Sequence, residues 1–292
     1  MPSLQDYTKK LKSLKNTLKI TKTMKMVSAS KLRKAQQAQS AAKDYANHIN
    51  GLIIRLAGAL GKSAHPLFEV REKKKTVLIL VFTSDKGLCG GFNNNLIKYA
   101  EAWLKADGAA FDNVVFSFCG KRGFRHFSGK STIDKHYEET TGKPNFSDAS
   151  RIGKEICDEF IDGIYDEVHL AHNIFHNPLS QEPTMEKLLP VEPKDIEEGN
   201  DELEGFSRDY IFEPSKDELV MELVPRTVNF KIFYTLLENS AGEHGARMAA
   251  MDNATNNAED MIESNTLLRN RARQSAITTE LIEIISGAEA LK

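Results

Sequence analysis

The sequence predicts an α/β protein in which a long antiparallel coiled coil of the N- and C-terminal helices carries an inserted Rossmann-like α/β domain. Apolar residues recur at the alternating 3-4 spacing of a coiled-coil seam near both ends of the chain. Between these ends, strand-like and helix-like segments alternate, as in sheets with a parallel core. We expect an N-terminal coiled-coil helix over 1–60, an α/β domain over 61–214 and a C-terminal coiled-coil helix over 215–292. The two seams consist of Leu4, Tyr7, Leu11, Leu14 and Leu18, and of Ile277, Leu281, Ile284 and Ala288.

The composition favours a protein with a sizeable core and no membrane span. Of the 292 residues, 40% are hydrophobic and 27% are charged, and no apolar run approaches the ~18 residues of a transmembrane helix. The three cysteines are Cys89, Cys119 and Cys157. Their odd number and the lack of CxxC spacing indicate free, buried thiols in a reducing compartment.

The charges are unevenly distributed along the chain. Ten lysines and one arginine, with no acid, lie between Asp6 and Asp44, whereas residues 192–222 contain twelve acids and three bases. A block of one sign usually faces a partner of the other sign. We therefore expect the N-terminal helix to contact an acidic protein surface. Nucleic acid is the less favoured partner, because the helix has few aromatic residues and its seam requires another helix.

The N-terminal helix is predicted over 3–58, with Ser3 and Asp6 forming a capping box. Gly58, Gly61 and Pro66 are expected to end it. The C-terminal helix is predicted from about 216 to 286, long enough to project beyond its partner. Within this helix, Pro225 is expected to produce a kink or a restart, and Gly242 and Gly245 to weaken it locally.

The central segment contains the pattern of an α/β sheet. Strands are predicted over 76–83, 113–118 and 166–174, with weaker candidates near 185–191 and 208–212; helices over 94–106 and 147–162; a basic turn over 120–125; and an exposed acidic loop over 192–205.

Two features of this segment resemble ligand sites but lack the required pattern. The turn Gly87-Leu-Cys-Gly-Gly91 follows a strand and precedes a helix, yet it is neither a Walker loop nor GxGxxG. We interpret it as a tight turn that lets the backbone approach neighbouring protein. His169, His172 and His176 lie on one strand, which places the first two on opposite faces. No cysteine or acid completes a metal site, so the sequence predicts neither metal nor cofactor.

Near the C-terminus, Arg273 and Gln274 precede an apolar end. Adjacent helical residues point about 100° apart, so these two side chains can meet different surfaces. Arginine suits a bidentate contact with a carboxylate, and glutamine suits other hydrogen-bonding groups.

Three stretches together resemble one family over the whole chain. They are Asn16-Thr-Leu-Lys-Ile-Thr-Lys-Thr-Met-Lys-Met-Val-Ser-Ala-Ser-Lys-Leu-Arg-Lys34, Ser84-Asp-Lys-Gly-Leu-Cys-Gly-Gly91, and Ala272-Arg-Gln274 followed by Ile277-Thr-Thr-Glu280, Glu283 and Gly287-Ala288. In this order they resemble the gamma subunit of F-type ATP synthases. The resemblance implies a non-catalytic rotor stalk that couples proton-driven rotation of the membrane c-ring to conformational change and ATP chemistry at the beta subunits.

The resemblance also implies partners and site residues. The expected partners are a hexamer of alpha and beta subunits around the shaft, the epsilon subunit and the c-ring. The location implied is the cytoplasmic side of a bacterial inner membrane, held through partner subunits, with the matrix side of the mitochondrial inner membrane as the alternative. The subunit-coupling residues implied are Lys19, Lys22, Met24, Lys25, Arg273, Gln274, Thr278 and Glu280, and the apolar bearing tip is Ile284, Ile285, Ala288 and Leu291.

Two other classes of function remain open from the residues alone. One is a free-standing scaffold with a coiled coil and a Rossmann-like domain. The other is a small-molecule enzyme, which needs converging titratable groups at the strand ends.

Overall fold

The computed structural model describes residues 3–60, 65–71, 75–191 and 215–290. The chain divides into two compact units. The first, here called the shaft unit, comprises residues 1–29 and 247–292, and the second, the α/β unit, comprises residues 30–246. The long terminal helices are α1, Leu4–Leu60, and α5, Lys216–Ala290. The capping box that begins α1 is confirmed, because the Asp6 amide donates to the Ser3 hydroxyl at 3.3 Å and the Ser3 amide donates to the Asp6 carboxylate at 2.9 Å.

In the shaft unit, α1 and α5 run antiparallel. The hydroxyl oxygens of Thr21 and Thr255 lie 2.9 Å apart, and one helical turn further along α1 the Lys25 ammonium lies 2.5 Å from the Asp252 carboxylate, one turn back on α5. This register aligns two seams at 3-4 spacing. The most buried shaft residues on α5 are Met251, Thr255, Ala258 and Asn265, and those on α1 are Leu11, Thr21 and Ser28.

The prediction that the two apolar seams pack against each other is therefore wrong, because the register pairs α1 with an earlier part of α5. Leu11 is buried as expected, but Ile277, Leu281 and Ile284 are exposed. Extending the observed register places Ser3, at the start of α1, opposite Arg273. The partner of α1 is thus the segment of α5 that precedes 273, where small and polar residues such as Thr255 and Ala258 interrupt the apolar pattern. Residues 273–288 are all exposed, in agreement with the predicted projection of α5.

The α/β unit is built on a five-stranded sheet with strand order β3-β2-β1-β4-β5. Strands β1, β2, β3 and β4 pair in parallel, and β5 pairs antiparallel to β4. One face of the sheet packs against α4 and α5, and the other against α2 and α3. The strands are β1, Thr76–Phe82; β2, Asn113–Cys119; β3, Thr132–Tyr137; β4, Glu167–Asn177; and β5, Ser180–Leu189, and the shorter helices are α2, Phe92–Lys105; α3, Lys121–Phe127; and α4, Phe146–Ile161.

The fold class is confirmed, and most predicted elements fall within a few residues of the observed ones. One prediction for the central segment was wrong, and one strand was missed. The basic turn over 120–125 is the start of helix α3, and strand β3 was not predicted. In β3 the apolar pattern is broken by charged residues, because this edge strand is only partly buried. The strand candidate at 208–212 and the acidic loop at 192–205 lie outside the described residues.

Helix α5 continues through Pro225 without the predicted restart. Gly242 and Gly245 of α5 also have a packing role. A Cβ atom on Gly242 would lie 2.8 Å from the Phe92 ring, and one on Gly245 would lie 3.0 Å from the Phe175 ring. Only glycine allows α5 this close to α2 and β4.

Candidate functional site

The predicted basic face of the shaft unit is formed by α1. Lys19 and Lys22 are exposed, whereas Met24 and Lys25 are half-buried. The Lys25 ammonium pairs with Asp252 of α5, with side chains 42% and 45% exposed. Because this pair partly neutralises Lys25, Lys19 and Lys22 are the lysines of the predicted set with the greater freedom to bind an outside acid.

The same part of α1 exposes apolar side chains that are not among the predicted site residues. Ile20, Met26 and Val27 are all more than half exposed, at 59%, 60% and 51%. They lie outside the seam, and Ile20 and Val27 share one face because they are seven residues apart. Their position outside the 3-4 repeat was the signal in the sequence, since apolar residues there have no partner within the coiled coil.

The polar residues predicted near the end of α5 all lie on an exposed part of that helix. Arg273, Gln274, Thr278 and Glu280 are all exposed. The Thr278 hydroxyl donates to the Gln274 backbone carbonyl at 2.9 Å, a bond within the helix. Among the described residues, the guanidinium of Arg273 and the side-chain amide of Gln274 have no hydrogen-bond or ion-pair partner. Both groups are therefore free to bind another molecule.

The predicted apolar tip follows directly on α5. Ile284, Ile285 and Ala288 are exposed, and Leu291 lies outside the described residues. Ile277, Leu281 and Ile282 extend the same exposed apolar surface, each at least half exposed. The segment 273–288 is about 24 Å long at the rise of an α-helix. So many isoleucines and leucines in water are unfavourable by roughly 25 cal/mol per Å² of apolar area, which predicts a partner for this surface.

The Gly-rich turn of the α/β unit is closed by its own hydrogen bonds. The Ser84 amide donates to the Asn93 side chain at 2.9 Å, and the Asn93 side-chain amide donates to the Ser84 hydroxyl at 2.7 Å. Leu88 and Gly90 adopt positive φ values of 64° and 57°, which tightens the turn. The polar side chains of Ser84 and Asn93 are thus used within the turn itself.

The three histidines of β4 contact glutamates rather than one another. Nε2 of His169 lies 2.9 Å from Glu167, and Nε2 of His172 lies 3.4 Å from Glu186. His176 contacts Glu182 in the same way. Within the part of the chain that the structure describes, no three potential metal ligands lie together.

Comparisons with known proteins decide the family. The family model described as ATP synthase matches residues 3–291. The ATP synthase gamma chain of Trichlorobacter lovleyi is 44% identical over 292 residues, which cover 100% of both chains. That of Bdellovibrio bacteriovorus is 42% identical over 295 residues, again covering 100% of both. The chain belongs to the ATP synthase gamma-chain family. The resemblance drawn from the three sequence motifs is thereby confirmed.

Solved structures share the fold of this gamma-family chain. A chain in the Euglena gracilis mitochondrial ATP synthase assembly of OSCP, F1 and c-ring matches with a TM-score of 0.65 and 18% identity, covering 99% of this chain and 94% of that one. A chain in the central stalk and c-ring of the Tetrahymena thermophila mitochondrial ATP synthase matches with a TM-score of 0.59 and 24% identity, covering 80% and 99%.

The gamma-chain relatives and the central-stalk folds together support a rotor-stalk role in an ATP synthase, a proton-translocating ATPase. The family places the chain in a membrane-associated complex. Within the described residues, no helix is long and apolar enough to cross a membrane.

Proposed function

We propose that the chain is the central rotor stalk of an F-type ATP synthase and that its shaft unit turns inside a hexamer of alpha and beta subunits. The observation that carries this proposal is the end of α5. Every residue from 273 to 288 is exposed, although the segment contains five large apolar side chains. A surrounding sleeve of other subunits buries this surface without any change in the chain itself.

The polar residues of the shaft unit transmit force to the beta subunits. Lys19 and Lys22 of α1, with Met24 and Lys25 beside them, face an acidic loop of a beta subunit. Arg273 and Gln274 bind a polar loop higher in the sleeve, and Thr278 and Glu280 extend the same contact. Because charged hydrogen bonds are directional and short, these contacts favour particular rotor angles. An asymmetric shaft then brings the three catalytic sites through different conformations in turn.

The apolar end of α5 serves as the bearing. Ile284, Ile285, Ala288 and Leu291 contact a hydrophobic sleeve. The hydrophobic effect is non-directional, so these contacts retain the tip at every angle without favouring one. The polar and apolar parts of the same helix thus have different tasks.

The α/β unit connects the shaft to the membrane motor. It contacts the epsilon subunit and the c-ring, through which proton flow turns the stalk. The chain lies on the cytoplasmic side of a bacterial inner membrane, as the bacterial relatives support. Contact with the membrane is made through the partner subunits.

Reconstitution with partners tests this function. The chain is co-expressed with the alpha and beta subunits of its own organism, and ATP hydrolysis and subunit ratio are measured on the purified assembly. We expect an active complex with one copy of the chain per three beta subunits. A hexamer that is equally active without the chain, or a chain that purifies alone as a stable monomer, favours the scaffold instead.

Two matched arginines test the polar contact. Arg273→Ala is expected to lower ATP synthesis in the complete, membrane-bound complex, because the substitution removes an exposed guanidinium that binds the beta subunit. Arg271→Ala is the control, since Arg271 is also exposed and lies two residues away, pointing to another side of α5. Equal synthesis rates in the two variants would refute the role given to Arg273.

A further inference from the structure

The most enclosed polar contacts of α5 lie at the carboxyl ends of β1 and β4. Successive strands β2 and β3 are added on one side of β1, whereas β4 lies on its other side. The strand order, though not the strand direction, therefore reverses between β1 and β4. In open α/β sheets this reversal leaves a crevice outside the carboxyl ends, which is the usual ligand site. Here the crevice is occupied by side chains of α5, a helix of the same α/β unit in this region.

Three contacts of different kinds hold α5 in the crevice. The side-chain amide of Asn239 donates to the Thr83 carbonyl, just beyond β1, at 3.4 Å. The Glu238 carboxylate accepts from the Phe175 backbone amide of β4 at 3.4 Å. One turn along α5, Gly242 packs so closely against the Phe92 ring that a Cβ atom would lie 2.8 Å from it.

The strand ends and the Gly-rich turn are themselves fixed around this contact. The Thr83 hydroxyl accepts from the Gly123 amide at 2.9 Å, and the Asn173 side chain of β4 donates to the Phe92 carbonyl at 3.3 Å. Thr83, Asn173 and Asn239 are all at most 1% exposed. The surface that meets α5 is therefore buried and hydrogen-bonded on both sides of the crevice.

Asn239 is an unusual choice for a residue that only fills space. Its Oδ1 atom is buried and has no hydrogen-bond partner among the described residues. A buried unsatisfied acceptor is unfavourable, so an apolar residue would fill the same space at no such penalty. What the amide adds is one directional bond to the central strand of the sheet.

We propose that Asn239 and Gly242 form a joint that fixes the rotational setting of α5 on the α/β unit. Asn239 is a positioning residue, and its bond resists rotation of the helix about its own axis. Gly242 supplies the close approach that keeps that bond within reach. The crevice that binds ligands in related topologies thus serves as the grip on the drive helix. This inference rests on the proposed rotor function, because only a helix under torque requires such a grip.

Angular fluctuations of a stalled rotor test the joint. A bead is attached to the α/β unit through Lys143→Cys in the alpha–beta–gamma complex. Within this chain, labelling is selective because Cys89, Cys119 and Cys157 are buried. The complex is stalled, and the angular distribution of the bead is recorded. We expect Asn239→Leu to broaden this distribution and Gly242→Ala to shift its mean angle.

The control is Thr235→Val on the same helix. Thr235 is also buried, but its hydroxyl bonds to the Lys231 carbonyl within α5, so the distribution is expected to match that of the unsubstituted complex. If the Asn239→Leu complex does not assemble, Asn239→Asp replaces it, because aspartate has the same size but no amide donor. If neither variant assembles, the Gly242→Ala measurement decides. An unchanged distribution in the Asn239 and Gly242 variants overturns the joint. An unsubstituted complex that does not rotate overturns the rotor function instead.

Discussion

A partly buried cluster of two acids and two bases ties α5 to strands β4 and β5, and it gives the α/β unit a specific pH dependence. The Lys231 ammonium lies 2.6 Å from the Glu186 carboxylate. The ring nitrogens of His172 lie 3.4 Å from Glu186 and 3.5 Å from Glu238. Gln39 of α1 also reaches Glu238, at 3.5 Å. The contributions of the two glutamates to the free energy of unfolding are expected to change with pH in opposite directions.

The pKa of Glu186 sets the size of its effect. Burial alone would raise this pKa, but the hydrogen bond with His172 and the charge of Lys231 outweigh burial and lower the pKa from 4.5 to about 2. The difference corresponds to at most about 3 kcal/mol. Because the Glu186 side chain is 39% exposed, solvent screening reduces the stabilisation to about 1–2 kcal/mol. A lowered pKa stabilises the fold above pH 4.5, and this stabilisation is lost as the pH falls towards 2.

The pKa of Glu238 is shifted in the opposite direction. Burial raises its pKa above the ordinary 4.5, so its contribution to stability is present at low pH and is lost as the pH rises through the raised pKa. Glu186→Gln is therefore expected to become progressively less stable than the unsubstituted chain as the pH rises from 2 to 6. Glu238→Gln is expected to gain stability relative to the unsubstituted chain over part of the same range.

Urea unfolding measured at each pH distinguishes these outcomes. Trp103, the only tryptophan of the chain, lies on α2 of the α/β unit and reports on its unfolding. Its ring is 5.4 Å from that of His169, so the folded and unfolded baselines are fitted separately at every pH. For each variant, the free energy of unfolding is compared with that of the unsubstituted chain at the same pH. If these two differences change with pH in the same direction, the assignment of opposite signs is refuted.

Three further substitutions test packing and pairing, each by the free energy of unfolding. Gly153→Ala places a Cβ atom 2.1 Å from the Asn229 side chain and is expected to destabilise by about 1–3 kcal/mol, less the roughly 1 kcal/mol of helix propensity gained. Thr255→Val is expected to destabilise by about 1 kcal/mol, whereas the double substitution with Thr21→Val should restore most of this loss. Asp252→Asn is expected to change stability by less than about 1 kcal/mol, because its ion pair is exposed.

Hydrophobic pattern predicted the helices and the central strands, because neighbouring residues such as Ile79 and Leu80 are buried on opposite faces of the sheet and leave a continuous apolar run. It did not predict the register of the coiled coil. The buried positions of α5 include Thr255 and Asn265, which a search for apolar residues passes over. Their polar atoms are satisfied by the preceding turn of the helix, an arrangement that spacing alone does not show.

The part of the candidate site that consists of exposed polar residues was predicted from the sequence. Arg273 and Gln274 were predicted because two strong hydrogen-bonding groups adjoin an apolar end, and the structure gives them no partner among the described residues. Ile20 and Val27 were not among the predicted residues, although their position outside the 3-4 repeat marks them as apolar residues without a partner in the coiled coil. Asn239 was missed because a single asparagine inside a long helix has no local pattern, and its contact with Thr83 joins residues far apart in the sequence.

The order of residues along α5 matches the mechanical tasks proposed for it. At Asn239 the helix must not turn against the α/β unit, and there the contacts are a directional hydrogen bond and a glycine that excludes any side chain. At Arg273 the preferred angle must be held and then released, which suits an exposed charged group that exchanges partners. From Ile284 onwards every angle must be equally favourable, which only apolar contact provides. Exchanging Ile284 for Arg should therefore add preferred angles at the tip, and the dwell positions of the rotating complex would reveal them.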